Sequence, residues 1–467
     1  MKTKTTLMPY QQEAVDKLLP LRVGALYMEM GTGKTRTALE MISVRNKNGK
    51  LDKVLWLCPC SVKDNLKEDL NKHADDWQDL IRIEGIESLS GSDRLYLDLT
   101  KYVGRQTMVI VDESNLVKNY FAKRTKRITE LGKVAKYRMI LNGTPISKNE
   151  ADLYAQWLFL DPRIFGYRTF WSFAANHLEY DERHRVRNVL DTDYLAERIA
   201  PYSYIARKKD VLKLPKKLVE NKYFHLTSSQ NFEYEETLNC FLGDVDEFNE
   251  TTIYRLFNAL QLVTSGQRIT STELPMQHEP MFLDPKENPR IKALMQLLEA
   301  NTEKTIIWVK YVHEAYEIQK MLPGAAMNIG DRSVKKRADE IERFRSDPDC
   351  LYLISNKTCG GYGLNLQFCH KAIYYNNDFD WATRAQSEDR IHRLGQTDDC
   401  QIISIVANSK IDERITNCLD RKENLCDAVK KEIKSFGKES LKDYLNEKNT
   451  HRPEAIRKAR RDSKSAE

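Results

Sequence analysis

The chain has 467 residues, of which 41% are hydrophobic and 30% are charged. Because this length exceeds what one ordinary core holds, we expect two or three domains. The composition is that of a globular protein, and no apolar run is long enough to span a bilayer, which excludes a membrane-spanning class. The net charge of +6 permits a nucleic-acid partner but does not by itself predict one.

The chain begins MKTKTTLMPYQQ, with no apolar segment after its first lysines. This start predicts no signal peptide and a cytoplasmic protein. The nine cysteines include no C-x-x-C pair, and the closest two are Cys58 and Cys60. We therefore predict buried free thiols rather than a metal site.

The first predicted helix is amphipathic, covers Glu13 to Leu19 and ends before Pro20. Just ahead of it stands Gln11, upstream of a glycine-rich stretch. An amide side chain donates and accepts hydrogen bonds at once, so Gln11 is a candidate for pairing with the adenine edge. A surface glutamine without a ligand is the alternative.

The glycine-rich stretch Met28 to Thr35 reads MEMGTGKT. It lies between the apolar run Val23 to Tyr27 and the helix-like run Arg36 to Ser43. A strand, a glycine turn and a helix start in this order predict a phosphate-binding loop. The usual eight-residue pattern begins with glycine where this chain has Met28. A bare glycine turn followed by Lys-Thr is the alternative interpretation.

Each residue at the end of this stretch has an expected role. Gly31, Thr32 and Gly33 let backbone amides wrap closely around an anion. Lys34 reaches the β- and γ-phosphates, and Thr35 holds magnesium through its hydroxyl group.

The next buried strands are predicted at Val54 to Leu57 and at Met108 to Val111. Asp112 and Glu113 follow the second of these strands directly, at the sheet edge where ligands of parallel sheets bind. Asp112 is expected to hold magnesium, and Glu113 to orient and deprotonate the attacking water. The alternative is that both acids cap the following helix.

Another strand is predicted at Arg138 to Leu141, closed by the polar turn 142–145, which could sense the γ-phosphate. From Asp152 onward the pattern becomes helical and aromatic. We interpret these aromatic residues as packing residues rather than base-stacking platforms. They are Trp157, Phe159, Phe165, Phe170, Trp171 and Phe173.

The composition turns basic between Tyr202 and Lys217, where we place a domain boundary. We expect an N-terminal lobe at 1–205, and a linker with a helical insertion at 206–290 that ends in a proline-rich loop at 266–289. A second lobe is expected at 291–430, followed by a basic segment at 431–467. That last segment is either a solvated end or an additional nucleic-acid contact.

The second half again alternates strands and helices, with strands at 305–309, 351–355 and 372–375. It has no phosphate loop. Gln386, Arg390 and Arg393 recur at helical spacing, which predicts one helix face with an amide and two guanidinium groups. Arginine suits the neutralisation of phosphoryl charge, and a solvated, salt-bridged helix is the alternative. The arginines have a role only if both halves share one nucleotide.

Several motifs together resemble the core of superfamily-two helicases, specifically the Swi/Snf-type double-stranded DNA translocases. The resemblance extends from Leu7 to about Lys422. The motifs are LMPYQ, GTGKT, DESNLVKN, NGTPI, ARKKDVLKLPKK, GGYGLNL and QSEDRIHRLGQ. No accessory domain is visible, which is similar to compact bacterial or bacteriophage members of this family.

The resemblance implies an α/β fold with two RecA-like lobes that use ATP and Mg²⁺. It implies nucleotide contacts by Gly363, γ-phosphate sensing by Gln386, and a finger supplied by Arg390 and Arg393. It also implies the roles already given for Gln11, for the loop 31–35 and for Asp112 and Glu113.

This sequence departs from the family pattern at three positions. Asn115 stands where histidine is usual, Asn142 where threonine is common, and Ala382 follows Trp381 where Asn-Pro is usual. Coupling of hydrolysis to movement is therefore less firmly implied than hydrolysis itself.

The function that the resemblance implies is a DNA-stimulated ATPase that moves on double-stranded or branched DNA, independently of sequence, as a monomer. Two alternatives belong to other classes. One is a strand-separating helicase, and the other is a non-catalytic DNA clamp that uses ATP only as a switch.

Overall fold

The computed structural model describes residues 1–143, 150–180, 186–243, 250–273, 275–356 and 366–421. Over these residues the chain forms two compact units. The first comprises residues 1–214 together with the short segment 393–395. The second begins at Pro215 and contains the remaining described residues.

The first unit is built on a six-stranded parallel sheet in the order β10-β2-β7-β6-β3-β5. Two small antiparallel pairs, β1 with β4 and β8 with β9, accompany it. The strands are β1 (Lys2–Thr3), β2 (Val23–Met28), β3 (Lys53–Cys58), β4 (Ala74–Asp75), β5 (Ile81–Gly85), β6 (Thr107–Asp112), β7 (Tyr137–Asn142), β8 (Leu178–Tyr180), β9 (Val186–Val189) and β10 (Ser203–Ala206).

The helices of the first unit mostly lie between these strands, as parallel connections require. They are α1 (Pro9–Leu18), α2 (Lys34–Lys47), α3 (Lys63–His73), α4 (Ser88–Gly91), α5 (Asp93–Tyr102), α6 (Lys123–Val134), α7 (Leu153–Leu160), α8 (Pro162–Phe165), α9 (Phe170–His177), α10 (Thr192–Ile199) and α11 (Lys208–Val211).

Both faces of the first sheet are covered, and this explains why its strands are continuous apolar runs in the sequence. In β2, Ala25 and Tyr27 pack into one hydrophobic cluster, while Leu26 and Met28 pack into a second cluster on the other face. All six residues of β2 are buried. The period-two alternation of a strand thus supplies two cores at once.

The second unit also has a six-stranded parallel sheet, in the order β11-β18-β17-β14-β16-β15. An antiparallel hairpin of β12 and β13 accompanies it. The strands are β11 (Lys217–Phe224), β12 (Gln267–Ser271), β13 (Gln277–Pro280), β14 (Thr305–Val309), β15 (Ala326–Asn328), β16 (Tyr352–Asn356), β17 (Lys371–Tyr374) and β18 (Cys400–Ala407).

The helices of the second unit include the two that form the predicted helical insertion. They are α12 (Ser228–Gly243), α13 (Glu250–Thr264), α14 (Pro289–Leu298), α15 (Val312–Met321), α16 (Val334–Ser346), α17 (Trp381–Glu388) and α18 (Lys410–Asp420).

Two parallel α/β units confirm the predicted fold class of two RecA-like lobes. The predicted strands at 54–57, 108–111, 138–141 and 305–309 are confirmed to within one residue at each end. Residues 217–224, which we expected to be linker, instead form the edge strand β11, and the change of unit falls between Leu214 and Pro215.

The expected loop at 266–289 is wrong in part, because the hairpin of β12 and β13 lies within it. All four residues of β13 are exposed. A strand that buries no face leaves no apolar alternation in the sequence, so the pattern could not indicate it.

The predicted helix face with Gln386, Arg390 and Arg393 is also wrong. The helix α17 ends at Glu388, and the chain then turns. The backbone amides of Ile391 and His392 both donate to the carbonyl oxygen of Glu388, which closes the helix. Gln386 is therefore helical, whereas both arginines lie beyond the helix end.

Seven cysteines lie in the described part of the chain and none of them forms a disulfide, as predicted. Five are buried, while Cys60 and Cys240 are exposed. Among the described residues, no group of histidine, cysteine or acidic side chains is arranged to hold a metal ion by itself. Within the same residues, no helix is both long enough and apolar enough to cross a membrane.

Candidate nucleotide-binding site

The glycine-rich loop follows β2 and leads into α2, as predicted. Gly31 and Gly33 have φ angles of 79° and 87°, in the left-handed region that glycine adopts without strain. Gly33 is also the N-cap of α2. The first turn of a 14-residue helix therefore presents its amide groups and its positive dipole end at this loop.

Lys34 and Thr35 are the first two residues of α2. The Lys34 ammonium group folds back across the loop and donates to the carbonyl oxygen of Met28 at 2.8 Å. Thr35 is half-buried. Thr32, by contrast, is fully buried and donates its hydroxyl to the Glu29 carbonyl oxygen at 2.7 Å, so its side chain holds the loop.

Gln11 is buried in the first turn of α1, which excludes the interpretation as an ordinary surface glutamine. Its Nε2 atom donates to the Thr32 carbonyl oxygen at 2.9 Å, and its Oε1 atom accepts from the Met8 amide at 3.0 Å. The Tyr10 hydroxyl donates to the same Thr32 carbonyl oxygen at 2.8 Å. Gln11 thus touches the phosphate loop directly, and its contact with adenine stays a prediction.

Asp112 is the last residue of β6, and Glu113 follows it in the left-handed region at φ 50° and ψ 55°. A non-glycine residue in that region is strained, and such strain concentrates at functional sites. The Glu113 amide donates to Asp112 Oδ1 at 3.0 Å. Burial, and then the neighbouring Glu113 carboxylate, raise the pKa of Asp112 to about 7, while Lys34 acts in the opposite direction.

The sheet register brings these two segments to the same edge. Tyr27 of β2 pairs with Asn142 of β7, and Leu141 of β7 pairs with Asp112 of β6. Only the end of β7 therefore separates the phosphate loop from the two acids. In parallel sheets this carboxyl edge is the ligand-binding edge.

Two of the residues that depart from the family pattern contact each other. Asn115 Nδ2 donates to Asn142 Oδ1 at 3.3 Å, and Asn142 Oδ1 also accepts from the Gly143 amide at 2.8 Å. The segment after Glu113 is thereby joined to the end of β7. Thr144 and Pro145 lie outside the described residues.

The segment after Glu113 is also tied to α7. Ser114 is fully buried and donates to Gln156 Oε1 at 2.5 Å, and Lys118 forms an ion pair of 3.0 Å with Asp152. These contacts hold the strained turn at Glu113 in place. Sequence reasoning missed Ser114 and Gln156, because only the tertiary fold makes them neighbours.

Another contact missed from sequence joins the phosphate loop to the basic segment near residue 208. Glu29 accepts a hydrogen bond from the Lys208 amide at 2.7 Å, and its own amide donates to the Ala206 carbonyl oxygen at 3.0 Å. The sequence offered one indication of this contact, which is that Glu29 is an acidic residue in a loop expected to bind anions.

The site residues predicted in the second half of the sequence do not all belong to one unit. Gln386 is half-buried on α17, and Arg390 is buried with only 3% of its surface exposed. Both belong to the second unit, whereas Arg393 belongs to the first, which also contains the phosphate loop. Gly363 lies outside the described residues.

Arg384 was not predicted, and its contacts identify it as a structural residue. Its guanidinium group lies 3.4 Å from the centre of the Tyr374 ring and bonds to Glu388 at 2.7 Å. Lys217 of β11 bonds to the same carboxylate at 2.6 Å. Burial raises the pKa of Glu388, but the two neighbouring cations outweigh it and leave the pKa below the usual value.

The residues present fit a magnesium nucleotide. Positive φ angles at both glycines, helix amides and the Lys34 ammonium group match a polyphosphate. The Thr35 hydroxyl and the Asp112 carboxylate are oxygen ligands of the type that Mg²⁺ prefers.

Comparison with known proteins agrees with this geometry. The family model of the SNF2-related domain matches residues 79–274, and that of the helicase conserved C-terminal domain matches residues 289–395. A further model, the res subunit of type III restriction enzymes, matches residues 4–92.

Similar proteins occur in bacteria and animals. An uncharacterised ATP-dependent helicase of Mycoplasma genitalium is 24% identical over 90% of this chain and 42% of its own length. The Caenorhabditis elegans homologue of SWI/SNF-related matrix-associated actin-dependent regulator of chromatin subfamily A-like protein 1 is 25% identical over 89% of this chain and 61% of its own. The chain thus spans about two fifths to three fifths of these relatives.

Among solved structures, the Sulfolobus solfataricus SWI2/SNF2 ATPase core in complex with dsDNA is 22% identical. The match covers 96% of this chain and 98% of that one, with a TM-score of 0.42.

Two parallel sheets, a phosphate loop and a pair of acids at one sheet edge define the class of two-lobed helicase-type ATPases. Within that class, residues 79–274 match the SNF2-related domain and residues 289–395 match the helicase conserved C-terminal domain. The chain is thus similar to the SNF2-related ATP-dependent helicases.

Proposed function

We propose that this protein is a DNA-stimulated, Mg²⁺-dependent ATPase that moves along double-stranded DNA and remodels the DNA or the proteins bound to it. The observation that carries this proposal is the shared sheet edge, where β7 alone separates Met28–Thr35 from Asp112 and Glu113. That arrangement supports the proposal, because a loop suited to phosphate lies beside a carboxylate that can act as a general base.

Each residue of the edge has a role in this mechanism. The amides of 31–35 and the Lys34 ammonium group bind the β- and γ-phosphates and neutralise their charge. Thr35 and Asp112 hold Mg²⁺, which supplies charge stabilisation at the transferred phosphoryl group. Glu113 orients the attacking water and accepts its proton.

Side chains from the second half of the sequence complete the site in this proposal. Arg390 and Arg393 neutralise charge that develops on the γ-phosphate, and Gln386 senses whether that phosphate is present. Nucleotide binding and hydrolysis then change the separation of the lobes, and alternate gripping of the duplex converts that change into movement. Contacts to the phosphate backbone make the movement independent of sequence and sensitive to salt.

The test is phosphate release measured with single-stranded, duplex and four-way branched DNA. We expect duplex or branched DNA to stimulate hydrolysis, and Lys34→Ala to abolish it, because the variant loses the charge at the β- and γ-phosphates. Hydrolysis that no DNA stimulates would contradict the proposed motor function. ATP binding without hydrolysis would favour the clamp.

A strand-separating helicase is the second candidate, since the Mycoplasma relative carries the name ATP-dependent helicase. A forked duplex with a fluorescent reporter strand decides between the two. Release of the reporter strand at the rate of ATP hydrolysis would favour the helicase over the translocase.

A further inference from the structure

Four aromatic side chains form a surface cluster on the first unit, which we call the aromatic patch: Tyr120, Phe121, Phe170 and Trp171. Tyr120 and Phe170 are stacked, with ring centres 5.6 Å apart and ring planes 13° apart. Phe121 lies 5.3 Å from Phe170 and 5.8 Å from Trp171. The patch is thus one continuous group of rings.

The aromatic patch is rooted in the core but open to solvent at its outer end. Tyr154 is buried and lies 5.7 Å from Tyr120 and 5.6 Å from Phe170. Phe121 is 50% exposed and Trp171 is 66% exposed. This only partly fits our interpretation of the aromatic segment as packing, which holds for its buried members, Trp157, Phe159, Phe165 and Phe173.

Adjacent large aromatic side chains in water mark an interaction site, because soluble proteins rarely expose contiguous apolar patches without a use. Tyr120 and Phe170 pack against the core of this unit, whereas Phe121 and Trp171 are not among the residues of that core. The outward position of Trp171 is therefore available for a ligand.

The charge around the patch identifies the class of ligand. Segments 118–127 and 162–177 carry all four rings and contain no aspartate or glutamate. Their basic residues are Lys118, Lys123, Arg124, Lys126, Arg127, Arg163 and Arg168.

Three acids outside these segments neutralise only part of that charge. Asp152 pairs with Lys118, Asp93 with Lys123 and Arg127, and Asp161 with Arg163. Seven bases against three acids leave an excess of four positive charges. Rings beside positive charge fit a ligand with flat aromatic groups on a negatively charged backbone.

We propose that the aromatic patch binds unpaired nucleotides of a DNA strand next to the duplex on which the protein acts. The proposal rests on the proposed function and specifies its substrate as DNA with a fork, gap or branch. Bases in a duplex are hidden by stacking, whereas every unpaired base offers a face to an aromatic ring whatever its sequence. The nearby cations bind the phosphates of the same strand.

The patch has a direct chain connection to the hydrolytic acids. A single 3₁₀ turn, Ser114–Val117, leads from Glu113 to Lys118, two residues before Tyr120. Ser114 is held by Gln156 on α7, the helix that also carries Tyr154 beneath the patch. A DNA strand that binds at the aromatic patch would therefore contact residues adjoining the segment that positions Glu113.

The test compares the wild-type 467-residue chain with Trp171→Ala and Phe121→Ala, using fluorescence anisotropy of labelled blunt duplex, forked duplex and single-stranded oligothymidylate. Loss of a stacked base is expected to weaken fork and single-strand binding on the order of tenfold to a hundredfold, and to leave blunt-duplex binding within about twofold. Trp171→Phe keeps a ring and is expected to bind forks nearly as wild type does.

A matched control is Phe232→Ala on α12, because Phe232 is also 66% exposed but belongs to the second unit. This variant is expected to bind all three DNAs as wild type does. Trp171 is the one exposed tryptophan of six, so oligothymidylate is expected to quench wild-type tryptophan fluorescence far more than that of Trp171→Phe.

Several outcomes would overturn the inference. Unchanged fork affinity in both alanine variants would do so, as would an equal loss for blunt duplex and fork. A change in oligomeric state on sedimentation, with DNA binding unaltered, would instead assign the patch to contact between copies. Absent DNA stimulation of ATP hydrolysis would contradict the proposed function alone, since fork binding by the patch is measured without ATP.

Discussion

Glu113 combines two properties that rarely meet in one residue, a backbone in the left-handed region and a carboxylate at the edge of a buried sheet. The hydrogen bond from the Glu113 amide to the Asp112 carboxylate holds the residue in that conformation, together with the contacts of Ser114 and Lys118. The cost of the conformation, about 1–3 kcal/mol, is thus offset by neighbours on both sides.

Replacing Glu113 with glutamine keeps the shape of the side chain and removes its ability to accept a proton. We expect Glu113→Gln to lower DNA-stimulated ATP hydrolysis by a factor on the order of 10² to 10⁴, with ATP binding retained. Steady-state phosphate release and binding of a fluorescent ATP analogue measure the two effects. Glu130→Gln, at an exposed residue of α6, is the control. Hydrolysis near the wild-type rate would remove Glu113 from the role of general base.

At this scale the sequence predicted candidate site residues but not the contacts that support them. Lys34, Thr35, Asp112 and Glu113 are candidates because each follows an apolar strand in a pattern with a chemical reason, and their catalytic roles stay predictions. The bonds from Gln156 to Ser114 and from Asn115 to Asn142 span many residues, so no local pattern could indicate them.

At the scale of elements, the fully buried cation Arg290 joins several elements of the second unit. Arg290 of α14 is fully buried and bonds to Asp412 at 2.6 Å, to the Tyr375 carbonyl oxygen at 2.7 Å and to the Thr264 carbonyl oxygen at 3.2 Å. The Asp412 carboxylate also accepts from the Ala407 amide at 2.8 Å. These bonds join the ends of α13, β17 and β18 to α14 and to α18.

Asp412→Asn leaves the Arg290 charge buried without its partner, so we expect the free energy of unfolding to fall by about 3–5 kcal/mol. Chemical denaturation followed by circular dichroism measures the change. Asp75→Asn is the control, because the ion pair of Asp75 with Lys4 is exposed and should contribute at most about 1 kcal/mol. A loss no larger than that of the control would show that the Arg290 network is dispensable.

The packing of α15 against the hairpin predicts a pH dependence of stability. Burial, and then the nearby Glu314 carboxylate, raise the pKa of Glu317 from 4.5 to about 7. Glu317 accepts from Gln267 Nε2 at 3.0 Å, and Gln267 Oε1 contacts His278, whose pKa burial lowers. Between pH 4.5 and 7 the unfolded chain ionises at this position and the folded chain does not, so stability falls as the pH rises.

Glu317→Gln removes that loss while keeping an acceptor for Gln267. We expect the variant to be more stable than wild type by about 3 kcal/mol above pH 7 and about equal to it near pH 4.5. Thermal unfolding at both pH values measures the difference. A gain in stability that is the same at both pH values would show that the pKa of Glu317 is not its cause.

Elements were predictable from sequence in proportion to how much of them is buried. The apolar runs of β2, β6 and β14 have both faces covered, so the runs themselves indicated strands. In β11 one residue of eight is buried, and its surroundings are basic. Its strand geometry comes from pairing with β18, which no pattern in its own residues indicates.

For the molecule as a whole, the central prediction is that both halves of the sequence act on one nucleotide. Arg393→Ala should then reduce ATP hydrolysis at least as strongly as loss of one transition-state contact, about 10³-fold, while duplex binding stays unchanged. Phosphate release measures ATP hydrolysis, and fluorescence anisotropy with blunt duplex measures DNA binding. Retained turnover would mean that the phosphate loop works without the second half of the chain.

The basic segment at 207–216 lies between the last strand of one sheet, β10, and the first of the other, β11. No strand of either six-stranded sheet crosses this point, and Arg207, Lys209, Lys213 and Lys216 are exposed on it. We therefore expect brief digestion with trypsin to cleave within residues 207–216, and each fragment would keep its whole six-stranded sheet. The two halves could then be produced separately and mixed, so that ATP turnover could be assayed as a reconstitution.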